Sequence, residues 1–162
     1  VTSGAPARPC DLCALLSTPV VAPASAPPAA DGGPVLVWRD ALLSVVFVDE
    51  LNYPGFTRVV WNGHVKEMTD LAATDREHVM WAVWQVEEAQ RAVMAPEKVN
   101  LASFGNMTPH VHWHVIPRYA DDAHFPNPTW AAAQREPDAQ GLAARRALLP
   151  RLRAAIVANL NK

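Results

Sequence analysis

Residues 110–116 alternate three histidines, His110, His112 and His114, with Val111, Trp113 and Val115 before ending on Ile116. Successive side chains of a β-strand point to opposite faces, so a strand here carries all three imidazoles on one face and an apolar row on the other. Such a strand is buried on one side only. Imidazoles this crowded repel one another if all are protonated, so at least some are neutral near pH 7. A neutral imidazole is a nucleophile, a base or a metal ligand; the plain alternative is a polar or metal-affinity strand.

The chain has 162 residues, 50% of them hydrophobic and 19% charged, with a formal net charge of −2. That length fits one domain over residues 1–162, large enough to bury a core without disulfides or a metal to hold it together. With 14 Lys and Arg against 16 Asp and Glu, it lacks the basic excess of a protein that coats nucleic acid or acidic membrane. No apolar run approaches the roughly 18–20 residues that span a bilayer, and the first residues have neither a basic region nor an apolar core of a secretory signal. The expected address is cytoplasmic. Cys10 and Cys13, three positions apart, make a poor disulfide framework and suggest a metal or redox pair.

Residues 19–34 are rich in Pro and Ala and read as a surface loop. The β-branched and aromatic runs at 35–39, 42–49 and 57–62 are joined by links too short for helical crossovers, which predicts an antiparallel meander. Thr74 and Glu77 form a capping box at the start of a helix with Val79, Val83, Val86 and Val93 on one face, closed by Pro96. Trp81 and Trp84 widen its apolar surface, toward either a subunit interface or the core. A strand at 99–104 leads through a turn at Gly105 to the histidine strand, and residues 141–160 read as helical with a break at Pro150.

The sequence from His110 to Ile116 resembles the signature of the histidine-triad (HIT) family, three histidines alternating with apolar residues. Phe47, Val48 and Asp49, the segment from Pro54 to Val60, His64, the Pro117–Arg118–Tyr119 tail and the Cys10/Cys13 opening are similar in order and spacing to family features. The resemblance implies an α+β HIT-like fold: an antiparallel sheet of about five strands, one long helix, a C-terminal helix, and a homodimer. It implies hydrolysis at the α-phosphate of purine nucleotide phosphoramidates or dinucleoside polyphosphates. His112 would attack phosphorus to give a nucleotidyl-histidine, its Nδ1–H held by the carbonyl of His110. His114 would stabilise the phosphate charge.

By the same resemblance Asp49 binds the ribose hydroxyls, Asn100, Gly105 and Asn106 supply donors to phosphate, and Leu12, Leu15, Phe47 and Val48 line the base pocket. Cys10, Cys13, His64 and His110 match a structural zinc site; no catalytic metal is expected. The sequence departs from the family where Gly-Gln-Ser/Thr-Val becomes Gly105-Asn106-Met107-Thr108-Pro109, and where Trp61, Asn62 and Gly63 replace the usual Pro-Lys-Lys/Thr. The residues alone also admit plainer roles: turn formers at Asn100 and Asn106, a loop carboxylate at Asp49, core residues in the base-pocket set, a free or redox thiol pair. Two rival readings follow, a zinc-stabilised nucleotide-binding or partner-binding module with little catalysis, and a catalytic metal on the three histidines. His78 reads as a solvated helix residue, His124 as a neighbour of the active site or partner subunit, and Arg118 as a distal-phosphate contact or a surface residue.

Overall fold

The computed structural model describes residues 10–17 and 34–162; most of the Pro/Ala-rich stretch lies outside the described residues. Five strands, β1 (Val35–Arg39), β2 (Leu43–Phe47), β3 (Thr57–Trp61), β4 (Lys98–Ala102) and β5 (His112–Arg118), form one antiparallel sheet in the order β1-β2-β3-β5-β4. The helices are α1 (Asp11–Ser17), the long α2 (Ala73–Met94), α3 (Ala139–Ala147) and α4 (Leu149–Leu160). This is the α+β HIT-like architecture. The C-terminal segment breaks at Leu148, with Pro150 in the first turn of α4, where a missing N–H costs no helical bond.

One sheet face packs against α2 and α4. Val45, Val59 and Val115 meet Val79, Val83, Val86, Leu152 and Ile156 there, each wholly buried; each such side chain contributes roughly 1.5–3 kcal/mol. Gly55, at φ +88°, sits beneath this layer, where a Cβ would lie 2.5 Å from the Met94 sulfur. Its carbonyl accepts from the Gln90 side chain at 2.9 Å, stitching α2 to the loop before β3.

The other face carries α1, whose Leu12 packs on Val46 and Val60, and beside it Tyr53, Phe56 and Ile116 against Val48. His112 and His114 stand between these groups, because Val60 is register partner to His112 and Arg58 to His114. Helix α2 begins at Ala73 with Ala72 as its uncapped N-terminal flank, so Thr74 and Glu77 lie inside the first turns and form no capping box. The helix ends at Met94, and Ala95 takes a left-handed φ of 47° ahead of Pro96, the conformation that commonly terminates a helix. Among the described residues, no helix is long and apolar enough to cross a membrane.

Candidate functional site

The site is built where β5 begins. His110 precedes the strand proper, and its neighbours are pinned by backbone bonds: Trp61 N–H donates to the Val111 carbonyl at 3.1 Å, and Val111 N–H to the Val65 carbonyl at 2.7 Å. The buried His110 ring donates from Nε2 to the Trp61 carbonyl at 2.6 Å. A carbonyl only accepts, so the proton is on Nε2 and Nδ1 keeps its lone pair. That lone pair faces Cys10 Sγ at 3.4 Å and Cys13 Sγ at 3.5 Å, and His64 Nδ1 lies 3.3 Å from Cys13 Sγ.

The ligating atoms of Cys10, Cys13, His64 and His110 all lie within 4.8 Å of one another, the sole group of three or more such side chains among the described residues. Bonds of about 2.0–2.3 Å to a central zinc place neighbouring ligands about 3.3–3.8 Å apart in a tetrahedron. The separations fit. Burial and the adjacent Cys10 push the Cys13 thiol up, a cost that a divalent cation reverses. These four residues therefore form a potential metal site.

With both nitrogens so committed, His110 does not converge with His112 and His114 on a common point, which removes the geometry of a three-histidine metal. His112 is oriented by a different contact. Its Nδ1 donates to the His110 carbonyl at 2.6 Å, and Ser103 Oγ fixes the His112 carbonyl at 2.8 Å. The lone pair is thus on Nε2. Burial, then the charges of Arg58 and His110, hold His112 below the ordinary histidine range and so neutral near pH 7.

His114 packs edge-on to Phe56, with centroids 5.1 Å apart, and beside His112 at 5.0 Å. Burial first, then Arg58 and His112, push it down to about 4. Its Nε2 is buried and makes no hydrogen bond among the described residues. Desolvation thus outweighs the mutual repulsion of imidazoles in keeping the row neutral.

The other residues predicted for the site divide into two groups. Leu12 and Leu15 pack on the imidazole face, and Val48 lies on it with Ile116 and Phe56. Phe47 does not join them: it packs into the helix-side core, while Val46 lies on the imidazole face with Leu12 and Val60. Gly105 adopts φ +72°, a left-handed turn that suits glycine. Asn106 is exposed beside it, and Met107 is 96% exposed. Asp49, two residues past the end of β2, lies 3.7 Å from Arg146 Nη1, a partly screened pair that a stronger partner can displace.

Asn100 Oδ1 accepts from Arg118 at 2.6 Å. Arg118 is neither a surface residue nor a free cation. It is 2% exposed, paired with Asp122 through Nε at 2.7 Å and Nη2 at 3.0 Å and with the Asn127 carbonyl at 2.8 Å. A groove of about 560 Å³ beside β4 is lined by Asn100, Ala102, Ile116 and Trp130, among others.

His124 pairs with the Tyr53 hydroxyl, and His78 binds Asp40 at 2.8 Å and stacks on Trp81 instead of standing in solvent. Trp81 is partly buried against the core and Trp84 is 52% exposed. Three features of the site lie outside the motif. Phe104 and Trp130 stack edge-to-face 4.8 Å apart next to His114, and neither has a sequence signal beyond its aromaticity. Arg58 does have one: a lone cation inside the apolar run of β3, two residues before Val60 on the same face.

Residues 35–121, more than half of the chain, match the HIT domain family. The chain belongs to the HIT family. The family's nucleotide-binding proteins and hydrolases share this fold, and solved structures agree with it. A histidine triad protein from Bradyrhizobium japonicum is 26% identical, with a TM-score of 0.60 over 78% of this chain and 96% of that one. A HIT protein from Sinorhizobium meliloti is 21% identical, with a TM-score of 0.61 over 80% of this chain and 91% of the other. A zinc-bound family member from Mycobacterium smegmatis is 22% identical, with a TM-score of 0.53 over 90% and 96%. No curated protein matches the HIT chain significantly.

Proposed function

We propose that this HIT protein is a hydrolase cleaving purine nucleotide phosphoramidates or dinucleoside polyphosphates at the α-phosphate. The observation that carries the proposal is the 2.6 Å bond from His112 Nδ1 to the His110 carbonyl, which leaves a neutral Nε2 lone pair on the pocket face. Nε2 attacks phosphorus, an N–P bond forms, and the P–N or P–O bond to the leaving group breaks, its electron pair departing with that group and taking up a proton. Water then attacks phosphorus, gives up a proton, and returns His112 with release of the nucleoside monophosphate. His114 faces the phosphate oxygens where charge spreads. Asp49, Asn100, Gly105 and Asn106 bind ribose and phosphate, and Leu12, Leu15, Val48 and Val46 flank the base.

Cys10, Cys13, His64 and His110 would hold a structural zinc, which would supply no more than a tetrahedral anchor for the turn that carries the His110 carbonyl. The zinc-bound relative and the ligand geometry support that assignment. A homodimer in the cytoplasm, with no nucleic-acid or membrane partner, completes the reading.

His112→Ala should reduce turnover of adenosine phosphoramidate and diadenosine polyphosphates by at least 10³-fold while AMP still binds. Retention of turnover in that variant overturns the mechanism. The alternative, a zinc-stabilised nucleotide-binding module with little catalysis, is favoured by Met107, which is turned to solvent where a leaving-group contact belongs. Acid quench with labelled substrate separates the two, because a binder forms no nucleotidylated protein.

A further inference from the structure

Three buried side-chain polar atoms lack a hydrogen-bond partner among the described residues: Arg58 Nε, Gln90 Oε1 and His114 Nε2. Gln90 is otherwise satisfied, its amide nitrogen donating to the Gly55 and Val115 carbonyls, both at 2.9 Å. The remaining two belong together. Arg58 and His114 are register partners across β3 and β5, and directly opposed residues on one sheet face stand about 4.5–5.5 Å apart at Cβ.

A buried polar group without a partner is costly, more so when charged, so two adjacent ones mark a place where a ligand atom completes the bonding. Among the described residues Arg58 also has no carboxylate partner. Arg118 is saturated by Asp122, Asn100 and Asn127, whereas among the described residues the Arg58 guanidinium carbon stands 5.6 Å from the centroid of the Phe56 ring and has no ion-pair partner. A half-buried guanidinium with an open Nε–H seeks an anion, and a phosphate oxygen matches its donor geometry.

We infer that Arg58 is an oxyanion-binding residue of the pocket, its Nε–H donating to a ligand phosphate oxygen that lies between it and His114. The inference rests on the pocket taking a nucleotide but not on its hydrolysis. Arg58 thereby supplies the positive charge that Asn106 and Met107 do not, and it makes the pocket select phosphorylated over unphosphorylated ligand. The same charge disfavours protonation of His112 and His114.

The test is calorimetric titration of AMP and of adenosine into the intact wild-type protein, Arg58→Leu and Arg58→Lys. Wild type should prefer AMP. Arg58→Leu should lose about 10- to 100-fold in AMP affinity with adenosine affinity unchanged. Arg58→Lys, which keeps the charge and the fold but not the Nε–H, should recover only part of the loss and serves alone if the Leu variant does not fold.

Equal weakening of both ligands would assign Arg58 to the base wall and overturn the inference. So would an unchanged AMP preference in the variants, or wild type that binds AMP no better than adenosine. The quench experiment is read separately. Wild type that forms no adduct yet shows an Arg58-dependent AMP preference removes the hydrolase and keeps the anion site; adduct formation with an Arg58-independent preference does the reverse.

Discussion

Protonating His114 means placing a cation among Phe56, Phe104 and His112 and across the strands from Arg58. Burial is the larger obstacle and the Arg58 charge the next, and together they push the ring down to about 4. In the unfolded chain the same ring titrates near 6.5. Between those values the unfolded state binds the extra proton, so stability rises with pH through this window and is lost as pH falls from about 6.5 toward 4. Allowing for partial exposure, the loss is roughly 1–2 kcal/mol. Urea melts at pH 7 and pH 4.5 should show it, with a smaller difference in His114→Asn; an NMR titration placing His114 near 6.5 would refute the assignment. The alternation of histidines made the placement of His112 and His114 readable from the chain alone. Arg58 was not readable in the same way, because its role follows from β3–β5 register and from what fails to bond to it, both tertiary facts.

At the level of elements, the meander and the long helix follow from pattern, and the errors have a physical cause. All but the last residue of β2 are buried, Leu43 through Val46 without alternation, because α2 and α4 cover one face and α1 covers the other. A strand buried on both sides carries no period-two signal, and so Phe47 and Val46 exchange places between core and pocket. The start of α2 fails for a different reason. Thr74 and Glu77 have capping-box spacing, but the chain enters the helix two residues earlier, from the turn closed by Leu71, and Ala72 offers no side chain to the free N–H groups. Ala72→Asp places an acceptor at that exposed flank, where it also meets the positive end of the helix dipole. It should stabilise the protein by about 0.5–2 kcal/mol, visible as a higher denaturation midpoint at unchanged slope. Thr74→Ala should be near neutral; a loss above about 1 kcal/mol would mean that Thr74 does cap the helix.

For the molecule as a whole, α1 is the element least able to hold itself. Seven residues are too few for an isolated helix in water, and its apolar contribution is Leu12 with Leu15 and Leu16 against the sheet. The cysteines on either side of Leu12 supply the remaining attachment. They reach His110 at the foot of β5 and His64 after β3, so one metal ion would tie three separated stretches of chain to the strand that orients His112. Binding free energy of such an ion is folding free energy for whatever it clamps. Chelation of the purified protein should therefore lower Tm by several °C and raise amide exchange across residues 10–17, while the strands under α2 and α4 keep their protection. Cys10→Ser should reproduce both effects without chelator and lower the bound zinc measured by elemental analysis. If chelation leaves Tm and the exchange of residues 10–17 unchanged, the thiol–imidazole cluster does not hold a structural ion, and Leu12 packing alone seats the helix.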